Sequence, residues 1–443
     1  MLKRVNIAVV GCGTVGGATA LHLIENADTI RKRYSIDVRL AAVVDKDLSR
    51  ARRIGLPDAL LSDDVDSVLL SPDIDIVIEL VGGTGFAFTL IERALSAGKH
   101  VVTANKALLA HRGRELFAAA HAAGVSLAFE ASCGGGIPVV RAIYDGLAGA
   151  RFDAIYGIVN GTCNYILTQM IRRSISYDDA LAEAQRDGLA EADPALDVGG
   201  HDSAHKIAIM AALAFGVGID YDSIRVDGID SLDLIDVQMA GRLGYVPKLL
   251  AIAERSTSGL SLRVGPALVP EKHPLAWVSG PFNAVSIYSY PTGHTMYYGR
   301  GAGGSATAGA IVADVVSIAV GGYPAVFAAP GIWPDQTPPA QIADASEIAR
   351  RFYVRALVDD RPGVLSELAD HFGTHGISIA GMHQDEMADN GDALAPVVLI
   401  THRVTEAVLS DAVREISALP EVAGRCTVLT IVDEPREALI DHA

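Results

Sequence analysis

Cysteine is scarce in this sequence. The 443 residues hold four, Cys12, Cys133, Cys163 and Cys426, far apart and without a CxxC pair. That weighs against a disulfide framework or a thiolate zinc site and fits a reduced, cytoplasmic protein. Positive charge is short as well: 36 Lys and Arg against 53 Asp and Glu leave a formal net charge of −17. Surfaces for nucleic acid or anionic membrane need basic patches, so neither partner is expected. There is no uninterrupted run of about 18 apolar residues, the length of a membrane span. The opening MLKRVNIAVVGCG has an apolar run too short for a secretory h-region. Hydrophobic residues still make up 50% of the chain. That is ample for packed cores, and the length suggests about two to four domains.

VNIAVVGCGTVGGATALHLIE reads as a buried strand, a glycine turn and an apolar-periodic helix. Gly11, Gly13 and Gly16 form GxGxxG in the strand–helix context of a dinucleotide fingerprint. Gly11 permits the tight turn, Gly13 lets a pyrophosphate approach the backbone, and Gly16 lets helix pack on strand. The amides at the helix start then face the phosphates. A second strand, VRLAAVVDKD, ends at Asp45, which suits a ribose diol and hence NAD. Lys46 and Arg50 suit a 2′-phosphate and hence NADP. The blander reading is that Asp45 ends a strand and Lys46 is solvated. In KHVVTANKALLA, Lys106 opens a helix after a strand and faces either the crevice at the strand ends or solvent.

VSLAFEASCGGGIPVV puts Glu130 at a strand end before three glycines. A carboxylate beside glycine-rich backbone can gather oxygens round a hard cation, or the glycines simply make a turn. Asn160-Gly161-Thr162 leads a strand into a helix, as a ligand-holding turn or an ordinary helix start. In EADPALDVGGHDSAHKIAIMAALAFG the apolar spacing predicts a helix from about Gly200. Asp202 and Lys206 are then i,i+4 neighbours, as are His201 and His205. HDSAH is superficially like the HExxH zinc helix, but it lacks the glutamate and a third ligand. A lysine among carboxylates can move a proton at a reacting hydroxyl, while the spare acids suit the ammonium of an amino-acid substrate.

GCGTVGG, TANKALLA, NGTCNYIL, EADPALDVGGHDSAHK and GAGGSATAGAIVADVV, in this order, resemble the homoserine dehydrogenases over residues 1–330. The resemblance implies NAD(P)-dependent reduction of L-aspartate 4-semialdehyde to L-homoserine. It implies Lys206 as proton donor, Lys106 assisting, and Glu191 and Asp202 on the substrate with Asp197 in support. Gly11, Gly13, Thr14, Val15, Gly16, Gly188 and Gly303 would touch the cofactor. Glu130 and the backbone of Cys133, Gly135 and Ile137 would hold a monovalent cation such as Na+. Cys133 stands where the family usually has valine, which matters little if only its carbonyl coordinates.

The expected fold class is α/β: a Rossmann-type nucleotide-binding domain (1–130), an inserted α+β catalytic and dimerisation domain (131–300), and a return to the first domain (301–325). The proline- and alanine-rich 326–349 reads as a linker crossed by few contacts, so a chain ending near Ala345 is expected to keep catalysis. Strands and helices beyond it follow a βαββαβ order, a ferredoxin-like domain over 350–435. DDRPGVLSELADHFGTHGISI resembles the ACT regulatory domain, with Asp360 and Gly363 on its effector loop. L-threonine is the effector to test, and a homodimer or homotetramer is expected. The rival readings are a non-catalytic NAD and amino-acid sensor, and a zinc hydrolase.

Overall fold

The computed structural model describes residues 2–384 and 394–433. Residues 385–393 within the expected tail domain, and its end at 434–435, lie outside the described residues. The first region alternates strand and helix: β1 (Lys3–Val10), α1 (Thr14–Tyr34), β2 (Ile36–Val44), β3 (Leu61–Ser62), β4 (Ile76–Glu79), α2 (Phe86–Ser96), β5 (His100–Thr103), α3 (Lys106–Ala123) and β6 (Leu127–Ala128). Its strands form a six-stranded sheet in the order β3-β2-β1-β4-β5-β6, parallel at every pairing. Central strands such as IVIE of β4 are buried throughout, as helices on both faces of a parallel sheet require. The chain order reverses between β1 and β4, which opens the crevice where ligands bind in such sheets.

The second region contains β7 (Arg151–Ile158), α4 (Gly161–Arg173), α5 (His201–Phe215), β8 (Arg225–Val226), α6 (Leu234–Arg242), β9 (Tyr245–Arg255), β10 (Leu260–Pro270), β11 (Phe282–Tyr290) and β12 (Gly293–Arg300). Residues 202–215 of α5 are all buried. This helix runs through the middle of the molecule, so any polar group on it must find its partner inside the protein. The chain then returns to the first region as α7 (Gly304–Val320), whose start lies on that of α1: a Cβ at Gly304 would sit 3.2 Å from the Thr14 carbonyl oxygen.

The tail is β13 (Ala349–Asp359), α8 (Val364–Thr374), β14 (Ile379–Gln384), β15 (Leu394–Thr401), β16 (Val404–Thr405), α9 (Glu406–Ile416) and β17 (Thr427–Ile431). Its sheet order β17-β13-β15-β14 is ferredoxin-like. The strands do not stand apart. β17 pairs with β10 through Ala267–Thr430 and Leu268–Ile431, joining tail and catalytic strands into one 11-stranded sheet.

The expectation of few contacts across 326–349 is therefore corrected. Trp333 is fully buried among Phe117, Phe129, Tyr144, Tyr323 and Phe327, and His121 Nδ1 lies 2.7 Å from Asp335. Beyond it, Arg355 of β13 forks onto Asp236 of α6 at 2.6 and 3.0 Å. Proline and alanine content marks a segment without regular structure, and a chain without regular structure can still be packed. Among the described residues no helix is long and apolar enough to cross a membrane.

Candidate active site

The tetrad Thr103-Ala104-Asn105-Lys106 is fixed from below by Glu79. This buried carboxylate accepts from the Thr103 hydroxyl at 2.6 Å and from the amides of Val81 and Gly82 at 2.9 and 3.1 Å. Asn105 caps α3 by accepting from the Leu108 amide at 3.1 Å. Lys106 is thereby the first residue of α3, and its ammonium reaches Asp202 Oδ1 at 2.6 Å. One turn along α5, Lys206 Nζ donates to Asp202 Oδ2 at 2.7 Å and to the Val159 carbonyl at 2.5 Å. A single aspartate, 2% exposed, thus bridges two lysines.

Asn160 completes the arrangement. Its Nδ2 donates to Asp202 Oδ2 at 2.9 Å and to Asp197 Oδ1 at 2.7 Å, while its Oδ1 accepts from the Cys163 amide at 2.8 Å to cap α4. Burial opposes ionisation of Asp202, but the two ammonium groups outweigh it and hold the carboxyl well below the usual range. For Lys106 burial works the other way and Asp202 again wins, so its pKa is raised. Asp197, whose carboxylate accepts from the Asn160 amide, is pushed up by burial. The two lysines differ in access: the Lys106 side chain is 33% exposed and that of Lys206 9%. Substrate arriving from solvent therefore meets Lys106 more openly than Lys206.

Gly188 and Glu191 lie on the exposed turn before Asp197. The Glu191 carboxylate makes no hydrogen bond or ion pair among the described residues; only its backbone carbonyl is used, by Gln185 at 3.2 Å. The two histidines beside Asp202 both meet Tyr221, His201 at its hydroxyl and His205 stacked on its ring with centroids 4.8 Å apart. His201 Nδ1 lies 3.0 Å from the Tyr221 hydroxyl, and His205 Nε2 lies 3.3 Å from His111 Nε2. Burial and His111 push His205 down to about 4, so it is neutral at pH 7. Among the described residues no group of three or more His, Cys, Asp or Glu side chains is placed to hold a metal ion.

On the nucleotide side, Gly11 has φ +98°, and a Cβ there would lie 2.5 Å from the Leu80 carbonyl oxygen. A Cβ at Gly16 would collide with the Gly11 carbonyl, while space at Gly13 is open. These are the tight turn, the close packing and the free approach that the fingerprint demands. Neither α1, with Gly13 at its cap, Thr14 exposed and Val15 half-buried, nor α7, capped by Gly303, carries a side-chain cap. Two helix starts without side-chain caps thus lie against each other, which suits the amides for a pyrophosphate. Asp45 stands beside them: its Oδ2 accepts from the Cys12 amide at 2.5 Å and its Oδ1 from the Asp47 amide at 3.1 Å. Lys46 is exposed, with Nζ 6.0 Å from the centre of the Phe86 ring.

The Glu130 group lies behind the lysines. Glu130 accepts from the amides of Val140 and Arg141 at 3.0 and 2.8 Å, and its own amide donates to Asp314 of α7 at 2.9 Å. Burial and the neighbouring Asp314 push Glu130 up to about 8, and burial pushes Asp314 up to about 7. Among the described residues the carbonyls of Cys133 and Gly135 accept no hydrogen bond, while that of Ile137 accepts from Val139 at 2.8 Å. Cys133 is fully buried, its thiol pushed up to about 12.

Glu79 and Asp314 escaped the sequence reading, although each is a lone acid in an apolar element, a signal that could have marked them. Asn160 was noticed as a turn; its bond to Asp202 had no sequence signal.

The chain is similar to known proteins over nearly its whole length. Residues 138–316 match the family model described as homoserine dehydrogenase, residues 11–130 that of the homoserine dehydrogenase NAD binding domain, and residues 352–421 that of the ACT domain. A homoserine dehydrogenase of Pseudomonas aeruginosa is 40% identical, covering 96% of this chain and 98% of its own. One of Neisseria gonorrhoeae is 39% identical over 97% and 98%. The crystal structure of a homoserine dehydrogenase from Thiobacillus denitrificans superposes with a TM-score of 0.91 at 39% identity, covering 97% of this chain and 99% of that one.

Proposed function

The chain belongs to the homoserine dehydrogenase family of NAD(P)-dependent oxidoreductases, and on that premise we propose which of its groups carry the reaction. The observation that bears most weight is the aspartate shared by two lysines. When bound, a dihydronicotinamide would supply the hydride that reduces the aldehyde carbon of L-aspartate 4-semialdehyde to give L-homoserine. Everything else falls to the protein. Lys206 gives a proton to the aldehyde oxygen, which becomes the hydroxyl. Of its three N–H groups, two are committed to Asp202 and Val159, leaving one for the substrate. Asp202, held ionised, pairs with both lysines before the reaction and aims them. Lys106 assists by drawing electron density toward the same oxygen. Its greater exposure favours a second reading, in which Lys106 itself is the donor and Lys206 the positioning group.

Glu191 takes the substrate ammonium, a role its exposed, unpaired carboxylate supports, with Asp202 and Asp197 completing the acidic wall. Gly11, Gly13, Thr14, Val15, Gly16, Gly188 and Gly303 line the cofactor, with Asp45 and Lys46 at the adenosine ribose. A monovalent cation such as Na+ sits among Glu130 and the carbonyls of Cys133, Gly135 and Ile137. The free carbonyls and the two under-compensated carboxyls support it, because a positive charge offsets what burial costs them. L-threonine acts through the tail at the loop of Asp360 and Gly363, in a cytoplasmic homodimer or homotetramer. Pairing between copies is supported by β12, an edge strand that exposes Tyr298 and Met296.

The deciding experiment is oxidation of NADPH or NADH on addition of L-aspartate 4-semialdehyde. Steady turnover with either supports the reading. A folded chain that binds the nucleotide and never oxidises it would be a sensor.

A further inference from the structure

A cleft of about 790 Å³ opens where the tail meets the catalytic strands. Its floor is the joint of β10 and β17, and its walls are α9 on one side and the segment from Arg225 to Gly228 on the other. Four arginines, Arg225, Arg263, Arg414 and Arg425, line it against two acids, Asp227 and Glu406. This is an excess of positive charge in a chain of net charge −17. The two acids spend themselves on one arginine: Arg225 pairs with Asp227 at 3.1 Å and also with Glu406. Arg414 pairs with Asp411 at 2.7 Å, and Arg425 is exposed with no ion pair among the described residues.

Arg263 is the unbalanced group. Its Nη1 donates to the Thr430 hydroxyl at 2.9 Å, but its Nε is buried without a hydrogen-bond partner among the described residues. Burial and the nearby Arg350 guanidinium, itself claimed by Glu254, push the Arg263 pKa down to about 10. This half-buried guanidinium, which borders both the cleft and the smaller cavity holding Glu254 and Arg350, has a spare N–H among the described residues, and a carboxylate matches its fork. Ser410 and Thr427 stand on the same lining, the Thr427 hydroxyl accepting from Arg355 at 2.9 Å.

We infer that this cleft binds a small organic anion carrying a carboxylate, with Arg263 as its anchor. Asp360 and Gly363 are not among its lining residues, so the site is separate from the loop to which L-threonine was assigned above. It is also linked to the active site by packing. The Ile229 amide donates to the Val198 carbonyl at 2.9 Å. A Cβ at Gly200 would lie 3.1 Å from both the Asp227 carbonyl and the Val264 side chain. The cleft wall is thus the backing of the turn that starts α5, the helix of Asp202 and Lys206.

Succinate is the probe, because it lacks the ammonium for which the active-site acids are suited. Calorimetric titration of the full chain, with NADP+ present to fill the phosphate-binding loop, is expected to show one succinate per chain. Arg263→Gln should weaken it about tenfold or more, as expected on losing a charge-assisted pair. Arg425→Ala, on the exposed rim where folding is not at risk, should weaken it by about threefold. Asp360→Ala should leave it unchanged. Saturating succinate should also shift the homoserine KM of the unaltered chain and not that of Arg263→Gln. No succinate binding at millimolar concentration, equal binding by both arginine variants, or loss on Asp360→Ala would each overturn the site. Binding with an unmoved KM would overturn its link to the active site. Because binding is read by heat, a failure of the proposed reductase reaction would not be mistaken for a failure of this site.

Discussion

Asp202 and Glu130 are equally withdrawn from water, at 2% and 3% exposure, yet they end in opposite states. Asp202 meets two ammonium groups within 2.7 Å and is held strongly acidic. Glu130 meets a second carboxyl, Asp314, and is pushed up to about 8. Its amide caps from Val140 and Arg141 do not make up the difference. Burial therefore does not set ionisation by itself; the count of compensating charges does. Charge around Asp202 is balanced by the chain alone, as befits a site that must hold its geometry before substrate arrives. Around Glu130 and Asp314 the guanidinium of Arg141, 3.5 Å from Asp314, is one positive charge against two acids, and that shortage is the physical ground for a bound cation.

The largest effect is expected where compensation is complete. Asp202→Ala strands two ammonium groups, and removing one partner of a buried pair costs about 3–5 kcal/mol. Denaturant unfolding should show that loss, and turnover of the semialdehyde should fall by about 10²–10⁴. Unchanged stability would mean that the lysines find water and that the pairing carries no energy.

A third buried acid extends the comparison. Asp236, 0% exposed, depends on Arg355 and Tyr353 of the tail. Ending the chain near Ala345 removes both, and with them the β17 pairing. The shortened protein should lose a similar amount, about 3–5 kcal/mol, seen as a lower Tm. A truncation as stable as the full chain would restore the loose linker that the sequence suggested.

Glu191 is the exposed counterpart of these acids, so its loss should leave stability intact. Glu191→Ala should raise the homoserine KM by about tenfold, the scale of one charge-assisted contact, with NADPH affinity unmoved. Equal weakening of both ligands would transfer the residue to the cofactor site.

The smallest effect belongs to the Glu130 group, and its sign is opposite to that of Asp202. An acid whose pKa is raised by folding costs nothing below its unfolded value, near about 4.3. The cost grows as pH rises toward about 8. Asp202, depressed, contributes stability above its unfolded value and loses it as pH falls through the folded one. Na+ should therefore raise Tm at pH 8.5 by a few degrees over tetramethylammonium at equal ionic strength, and not at pH 4. Glu130→Gln should erase the difference. An identical response to both cations would leave the shortage of charge uncompensated and the cation reading unsupported.

What was legible beforehand follows from sequence distance. The glycines from Gly11 to Gly16 and the Asp202–Lys206 pair lie within a turn or two of each other, so helix spacing alone places them. The alternation of strand and helix likewise announces the parallel sheet. The bond of Asn160 to Asp202 spans 42 residues, and the Glu130–Asp314 approach spans 184. Both depend on how whole elements pack, which no local period encodes. The joint of β10 and β17 rests on two residue pairs, too short to leave a pattern in either strand.

Whether Lys206 supplies the proton with Lys106 assisting is read from the turnover of Lys206→Met and Lys106→Met, at saturating NADPH and semialdehyde. Lys206→Met should lose about 10²–10⁴ in kcat, the worth of a general acid, with NADPH affinity unchanged and a smaller loss for Lys106→Met. A Lys206→Met enzyme within about threefold of the unaltered rate, beside a Lys106→Met enzyme that has lost activity, would contradict this assignment and move the proton to Lys106.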